Sequence, residues 1–243
     1  MLLSALLLPV AVPAQQGGDI QAQILYAYET EDGNSLTNLA QDLAAQVKSD
    51  GGDASLRYHL ANAQYRRGLL EAAGAADPRG SEAAFSDCID DLKPLLSRDA
   101  EAVEALILQS ACYSGLADRR KLESVLLRSR ADERLDAALK LAPRNPRAVF
   151  LSSMNGLRQA KPGSAERQHA FAQLQLAAQL FDASSATSID TPGWGHAEAY
   201  LALGRELQAR ADLLGARNWI EKSLIAAPDY KAAQRQLASL TRR

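Results

Sequence analysis

Apolar residues recur at helical spacing along most of the chain. One such stripe consists of Leu36, Leu39, Leu43 and Val47, and the Asn34-Ser35 pair before it is typical of a helix start. A period of three to four residues brings apolar side chains to one face of an α-helix. The pattern therefore predicts an all-α protein built from consecutive amphipathic helices.

The segment from Ala197 to Tyr230 shows this pattern most clearly. It contains two predicted helices, 197–209 and 212–226, and ends near Pro228, whose ring nitrogen cannot continue a helix. Small residues recur within it at Gly204, Ala216 and Ser223. Two antiparallel helices can cross closely only where side chains lack bulk, so we expect Gly204 and Ala216 to lie at the crossing.

This spacing resembles the 34-residue tetratricopeptide repeat, which has small residues at positions 8, 20 and 27 and often Pro at position 32. The segment departs from that pattern at Tyr200, where the repeat usually has Trp, and at Leu207. Weaker and longer copies begin near residues 57, 100 and 147. The resemblance implies a right-handed superhelix of antiparallel helix pairs, about five of them, followed by a capping helix. An irregular helical bundle is the alternative architecture.

The N-terminal residues predict export. An apolar run from Leu2 to Val12 is followed by Pro13-Ala14, which fits the small residues before a signal-peptidase cut. The run is shorter than the about 20 residues that span a bilayer. No cation precedes Lys48, so the alternative is an apolar N-terminal helix that is retained. We predict a signal peptide at 1–14, hence a periplasmic or secreted protein.

The rest of the chain divides into two parts. Residues 15–53 are predicted to form an N-terminal helical pair, and residues 54–243 the repeat domain. Within that domain, 197–230 is the clearest repeat and 231–241 is the capping helix.

Cys88 and Cys112 are the two cysteines of the chain. No His lies at ligand spacing from either one, which argues against a metal site. Stacked repeats would place Cys88, in the second helix of one pair, beside Cys112, in the first helix of the next. We therefore predict a disulfide, and two separate small buried residues are the alternative.

The resemblance also implies a concave groove lined by the first helix of each pair. The candidate groove residues number eight. Tyr58, Asn62, Tyr65, Glu198, Leu201, Arg205 and Gln208 occupy groove-facing positions, and Arg66 is adjacent to them. Asn62 and Arg66 only partly match the carboxylate clamp of some family members. Trp194 lies in a Ser-, Thr- and Gly-rich loop, where it either packs on the last helix pair or forms an exposed anchor for a partner.

Composition and charge limit the classes of function that the chain could have. The chain is 47% hydrophobic with a net charge of −2, which suits a folded protein and argues against nucleic-acid binding. Residues 1–104 carry 7 basic and 16 acidic residues, whereas residues 105–243 carry 20 basic and 13 acidic ones. These charges are either solvated helix faces or the two ends of a dipolar molecule.

The sequence has no phosphate-binding loop, nucleophile elbow or zinc-protease motif, so we expect no catalytic, cofactor-binding or metal-binding residues. It predicts a non-catalytic scaffold for a protein or peptide partner, with no integral membrane span once the signal is removed. The alternatives are a self-assembling structural protein, in which the acidic half of one copy meets the basic half of the next, and an accessory subunit of an envelope enzyme.

Overall fold

The computed structural model describes residues 13–49, 53–74, 78–185 and 192–241. These ranges contain eleven α-helices, a short 3-10 helix at Lys121–Glu123 and no strand. The helices are α1 Pro13–Glu29, α2 Gly33–Ser49, α3 Ala54–Ala73, α4 Pro78–Arg98, α5 Val103–Arg119, α6 Ser124–Leu141, α7 Pro146–Gln159, α8 Ala165–Ser185, α9 His196–Ala209, α10 Leu213–Ala226 and α11 Lys231–Thr241. The all-α prediction is confirmed.

Consecutive helices pack side by side as pairs. The closest packing joins α3 to α4, α5 to α6, α7 to α8 and α9 to α10, with α1 and α2 before them and α11 after them. This is the predicted order of five pairs and a terminal helix. The segment 197–230 coincides with α9, α10 and the turn after them, and α11 begins where the capping helix was predicted.

Small residues set the crossing of α9 and α10. A Cβ atom added to Gly204 would lie 2.5 Å from Cγ1 of Ile220 and 3.1 Å from the backbone oxygen of Ala216. At the other end of the crossing, the buried Ser223 hydroxyl donates a hydrogen bond to the backbone oxygen of Ala197, over 2.8 Å. The helices approach this closely because position 204 has no side chain.

The same device joins α3, α4 and α5. The ring of Phe85 on α4 occupies the space that a Cβ atom would need at both Gly68 on α3 and Gly115 on α5. Next to this ring, Cys88 and Cys112 form a disulfide that links α4 to α5, with their Cα atoms 6.2 Å apart.

Two predictions concern the N-terminal part of the chain. The predicted signal segment 1–14 lies outside the described residues except for Pro13 and Ala14, which begin α1. The start of α2 was placed slightly too late, because the capping side chain is Asp32. Its carboxylate accepts a 3.0 Å hydrogen bond from the backbone N–H of Ser35 and a 2.7 Å bond from the Ser35 hydroxyl.

The apolar core is distributed along the stack. Separate clusters of buried residues lie among α1–α3, α3–α6, α7–α9 and α9–α11. This is the arrangement expected of repeats, in which each pair is stabilised mainly by its neighbours. In the described part of the chain, no helix is both long and apolar enough to cross a membrane.

Candidate functional site

The superhelix closes on itself, because the first helices contact the last ones. The guanidinium of Arg235 binds the Glu31 carboxylate through two hydrogen bonds, of 2.7 and 2.5 Å. The rings of Tyr28 and Tyr230 lie 6.0 Å apart between centroids. We call the contact region between two parts of the chain the seam. One part is α1, the turn after it and α3, and the other is α9 and residues 228–235.

A buried ion pair lies at the centre of the seam. Nη1 of Arg66, whose side chain is 1% exposed, lies 2.5 Å from Oε1 of Glu198. The Arg66 guanidinium also covers the Tyr28 ring, 4.3 Å from its centroid. Moving α3 away from α9 would leave the buried Arg66 charge without its partner, which costs free energy. The ion pair therefore keeps the two helices together.

The seam borders a half-open cavity of about 600 Å³ on the inner side of the superhelix. The first helix of every pair contributes to the wall of this cavity. Examples from α1, α3, α5, α7 and α9, in that order, are Tyr28, Tyr65, Ser114, Met154 and Leu201. Apolar and aromatic side chains make up most of the surface, with Leu69, Phe150 and Trp194 among them. Concave apolar sites with a few polar groups are where proteins bind small ligands.

Several positive charges face this cavity. Four arginines and three carboxylates line it, namely Arg66, Arg158, Arg167, Arg205, Asp118, Glu198 and Glu206. Arg167 is paired with Glu206 over 2.6 Å. Arg205 has no carboxylate partner among the described residues, and Nε and Nη2 of the buried Arg66 lack an acceptor there. These two guanidinium groups can therefore donate hydrogen bonds to a negatively charged group of a ligand.

The phenols around Arg66 are neutral hydrogen-bonding groups. Burial raises the pKa values of Tyr28, Tyr65 and Tyr230. They therefore remain protonated at physiological pH and add polar contacts to the wall without adding charge.

Comparisons with known proteins identify the architecture. No family model matches the chain, and no curated protein matches it. Among solved structures, a thermophilic TPR protein of Thermus thermophilus is similar over 95% of this chain and all of its own, with a TM-score of 0.65 and 19% identity. The chain has a tetratricopeptide-repeat fold.

A second similar structure is that of a haemophore. The HusA haemophore from Porphyromonas gingivalis matches 83% of this chain and 94% of its own, with a TM-score of 0.66 and 19% identity. At such low identity, the two similarities concern the fold alone and show nothing about the ligand.

Five of the eight predicted groove residues line the cavity of this tetratricopeptide-repeat fold: Tyr65, Arg66, Glu198, Leu201 and Arg205. The other three are not among its lining residues. Asn62 is 1% exposed within the helical packing. Gln208 accepts a hydrogen bond from Gln236 of α11, and Tyr58 is covered by Trp194. The repeat positions had predicted that all three residues face the groove, but neighbouring parts of the fold cover them instead.

Trp194 is not the exposed anchor that its loop suggested. Its side chain is 2% exposed, and its indole N–H donates a 2.9 Å hydrogen bond to the Tyr58 hydroxyl on α3. The loop before α9 thus carries an aromatic side chain into the interior, where it joins the last repeat to the first. One face of the indole remains part of the cavity wall.

Sequence reasoning missed the contributions of α1 and of the turn before α11. Tyr28 and Tyr230 reach the cavity only because the two ends of the superhelix meet. Residues of α5 and α7 were also missed, since their over-long units obscure the repeat positions. The periodicity of α7, with Met154 and Arg158 four residues apart on one face, was the available signal.

One carboxyl group at the seam has an unusual pKa. Burial, together with the nearby carboxylate of Glu198, raises the pKa of Glu29 from 4.5 to about 7, against the opposing effect of Arg66. Between about pH 4.5 and 7, Glu29 is therefore mostly protonated in the folded protein and mostly ionised in the unfolded chain. Stability that comes from this group is present at low pH and is lost as the pH rises through that interval.

We expect Glu29→Gln to remove this loss. The variant should unfold like the parent protein below about pH 4.5 and at a higher denaturant concentration above about pH 7. Urea titrations followed by circular dichroism across this pH range measure the effect.

Glu31→Gln is the matched control, because the bond to Arg235 lowers the pKa of Glu31 and so gives the opposite sign. That variant should lose stability at neutral pH and none at low pH. Parallel pH profiles of the parent and Glu29→Gln proteins would contradict the assignment.

Proposed function

We propose that the protein is a non-catalytic scaffold that binds a short peptide segment of a partner protein in the central cavity. The fold supports a helical-repeat scaffold, and the cavity provides a site with apolar walls, unfilled donors at Arg66 and the guanidinium of Arg205, which has no carboxylate partner among the described residues. Its volume of about 600 Å³ suits a few residues, such as a chain end or a tight turn, better than a long extended peptide.

One observation carries this proposal. The guanidinium of Arg66 is buried against the cavity with two donor atoms unfilled. Buried polar groups in folded proteins nearly always have a hydrogen-bond partner, so an unfilled guanidinium beside a cavity favours a ligand with an acidic group. Apolar side chains of the same ligand would contact Phe150, Met154 and Leu201.

We further propose that the protein acts in the periplasm or outside the cell. Two features support this location: the signal-like segment 1–14 and the disulfide between Cys88 and Cys112. Disulfides persist in oxidising compartments and are rare in the cytosol.

A flat apolar ligand with acidic substituents, such as haem, is the second candidate. The similar HusA structure is described as a haemophore, and the same cavity offers aromatic walls, arginine donors and the phenol of Tyr65. Tyrosine is one of the side chains that can hold haem iron.

Selection of a phage-displayed library of random linear peptides on the immobilised protein tests the first candidate. Selected peptides should bind in calorimetry, and Ala202→Trp, which fills the cavity from α9, should weaken binding by at least about tenfold. Ser114→Trp fills the cavity from α5 and should have the same effect.

Ala45→Trp is the matched control, because Ala45 is exposed on α2 and its replacement should leave binding unchanged. Thermal melts confirm that each variant is folded. Failure to select any peptide, or equal binding by the filled-cavity variants, would count against a peptide site. Hemin titration of the same variants, followed by its visible absorbance, decides on the second candidate.

A further inference from the structure

An exposed apolar group lies at the start of α6. Leu122, Val125 and Leu126 have relative exposures of 103%, 83% and 55%. Their spacing of three and four residues places them on one side of the helical turn, while Leu127 and Ala131 on the other side are buried in the core. We call Leu122, Val125 and Leu126 the tip.

The tip is surrounded by positive charge. Residues 119–130 contain five cations and one carboxylate, a net charge of +4; the cations are Arg119, Arg120, Lys121, Arg128 and Arg130. Arg120 and Arg128 are held in place by Glu82 and Asp118, each over 2.6 Å. Lys121 and Arg130 have no carboxylate within ion-pair distance in the described part of the chain.

The tip has no part in the central cavity. None of residues 119–130 lines that cavity. The segment lies where the unit beginning near residue 100 exceeds the usual repeat length, and it forms a 3-10 helix between α5 and α6 instead of a tight turn. Apolar side chains are thus presented to solvent by an insertion that neither the stack nor the cavity needs.

We propose that the tip inserts into the surface of an anionic lipid bilayer. Aliphatic side chains at the apex of a turn, flanked by Lys and Arg, can enter the headgroup region while the cations contact anionic lipids. Residues 105–243, which include the tip, carry a net charge of +7, whereas residues 1–104 carry a net charge of −9. A negative surface would therefore attract the basic segment that carries the tip.

Other occupants fit less well. A second copy docked symmetrically through the tip would bring two basic clusters together, each still positive after Glu82 and Asp118 have paired with Arg120 and Arg128, and their repulsion opposes that contact. The surface area of three side chains is also far smaller than the about 800 Å² that each partner buries in a stable protein interface. A fluid lipid surface needs no complementary groove.

Flotation of the protein with lipid vesicles tests the proposal. The protein should float with vesicles of mixed phosphatidylcholine and phosphatidylglycerol and much less with phosphatidylcholine alone. The triple variant Leu122→Ser, Val125→Ser, Leu126→Ser should bind the mixed vesicles at least about tenfold more weakly. Lys121→Ala with Arg130→Ala should weaken binding and reduce its sensitivity to salt.

Leu213→Ser with Leu214→Ser is the matched control. These side chains are 44% and 73% exposed at the start of α10, another second helix of a pair, and their loss should leave vesicle binding unchanged. All of the substituted residues are exposed, so circular dichroism melts should coincide with that of the parent protein.

Three results would overturn the proposal. The first is no flotation with anionic vesicles, and the second is equal binding by the triple variant. The third is self-association without lipid, measured by sedimentation, that the triple variant abolishes, since this would assign the tip to a contact between copies.

Discussion

Gly204→Leu should lower the free energy of unfolding by about 3 kcal/mol or more, because it forces a side chain into the closest contact between α9 and α10. A Cβ atom at this position would already lie 2.5 Å from Cγ1 of Ile220 and 3.1 Å from the Ala216 backbone oxygen. Neither neighbour is the free end of a flexible side chain, so the two helices must separate. Gly204→Ala should cost about 1–3 kcal/mol. Urea denaturation followed by circular dichroism measures both changes.

Gly33→Ala provides the comparison. No atom lies within 4 Å of the Cβ position at Gly33, which is at the start of α2. Alanine favours the helix more than glycine, so this variant should be as stable as the parent protein or up to about 1 kcal/mol more stable. If Gly204→Leu unfolded at the midpoint of the parent protein, the proposed crossing of α9 and α10 would be wrong.

Breaking the Cys88–Cys112 bond should produce the second large effect. The two residues are 24 positions apart, and closing a loop of this length restricts the unfolded chain by about 3–4 kcal/mol. The bond also ties the second helix pair to the third, so its loss should loosen the stack between α4 and α5. We expect a lower melting temperature in reducing agent than without it.

The double variant Cys88→Ala, Cys112→Ala isolates this effect. It should melt at the same temperature with and without reducing agent, and below the oxidised parent protein. Both side chains are fully buried, so part of its loss reflects lost packing, whereas the difference caused by the reducing agent does not. Detection of two free thiols in the denatured, unreduced protein would exclude the bond.

The seam has a consequence for how a ligand enters the cavity. Because Arg235 and Glu31 join the ends of the superhelix, a long peptide cannot lie along an open groove without separating them. A chain end or a small ligand can enter with the seam intact.

Much of the fold could be predicted because its rules are local. Gly204, Ala216 and Ser223 mark one crossing, and Pro228 marks the turn after it, within a single segment of 34 residues. Spacing of this kind determines which faces of neighbouring helices meet. The start of α2 was predicted slightly too late, although the signal was in the sequence: Asp32 precedes Ser35 by three residues, the spacing of a capping side chain.

The site was only partly predictable. The repeat positions found Tyr65 and Leu201, because a first helix presents the same face in every repeat, and Arg66 was found as the neighbour of Tyr65. They did not anticipate that Asn62 would be buried or that Trp194, whose packing was one of two alternatives, would lie against Tyr58. Tyr58 and Trp194 are 136 positions apart, and no local pattern relates them.

By itself, the sequence determined that this chain forms helices, that they pair, and which small residues let the pairs approach. These properties depend on interactions within about 34 residues, and the periodic pattern records them. Only the tertiary structure decided that the superhelix closes and that its groove becomes a cavity. Closure follows from small rotations accumulated over five helix pairs, including over-long ones, and it joins Glu31 to Arg235 across 204 positions.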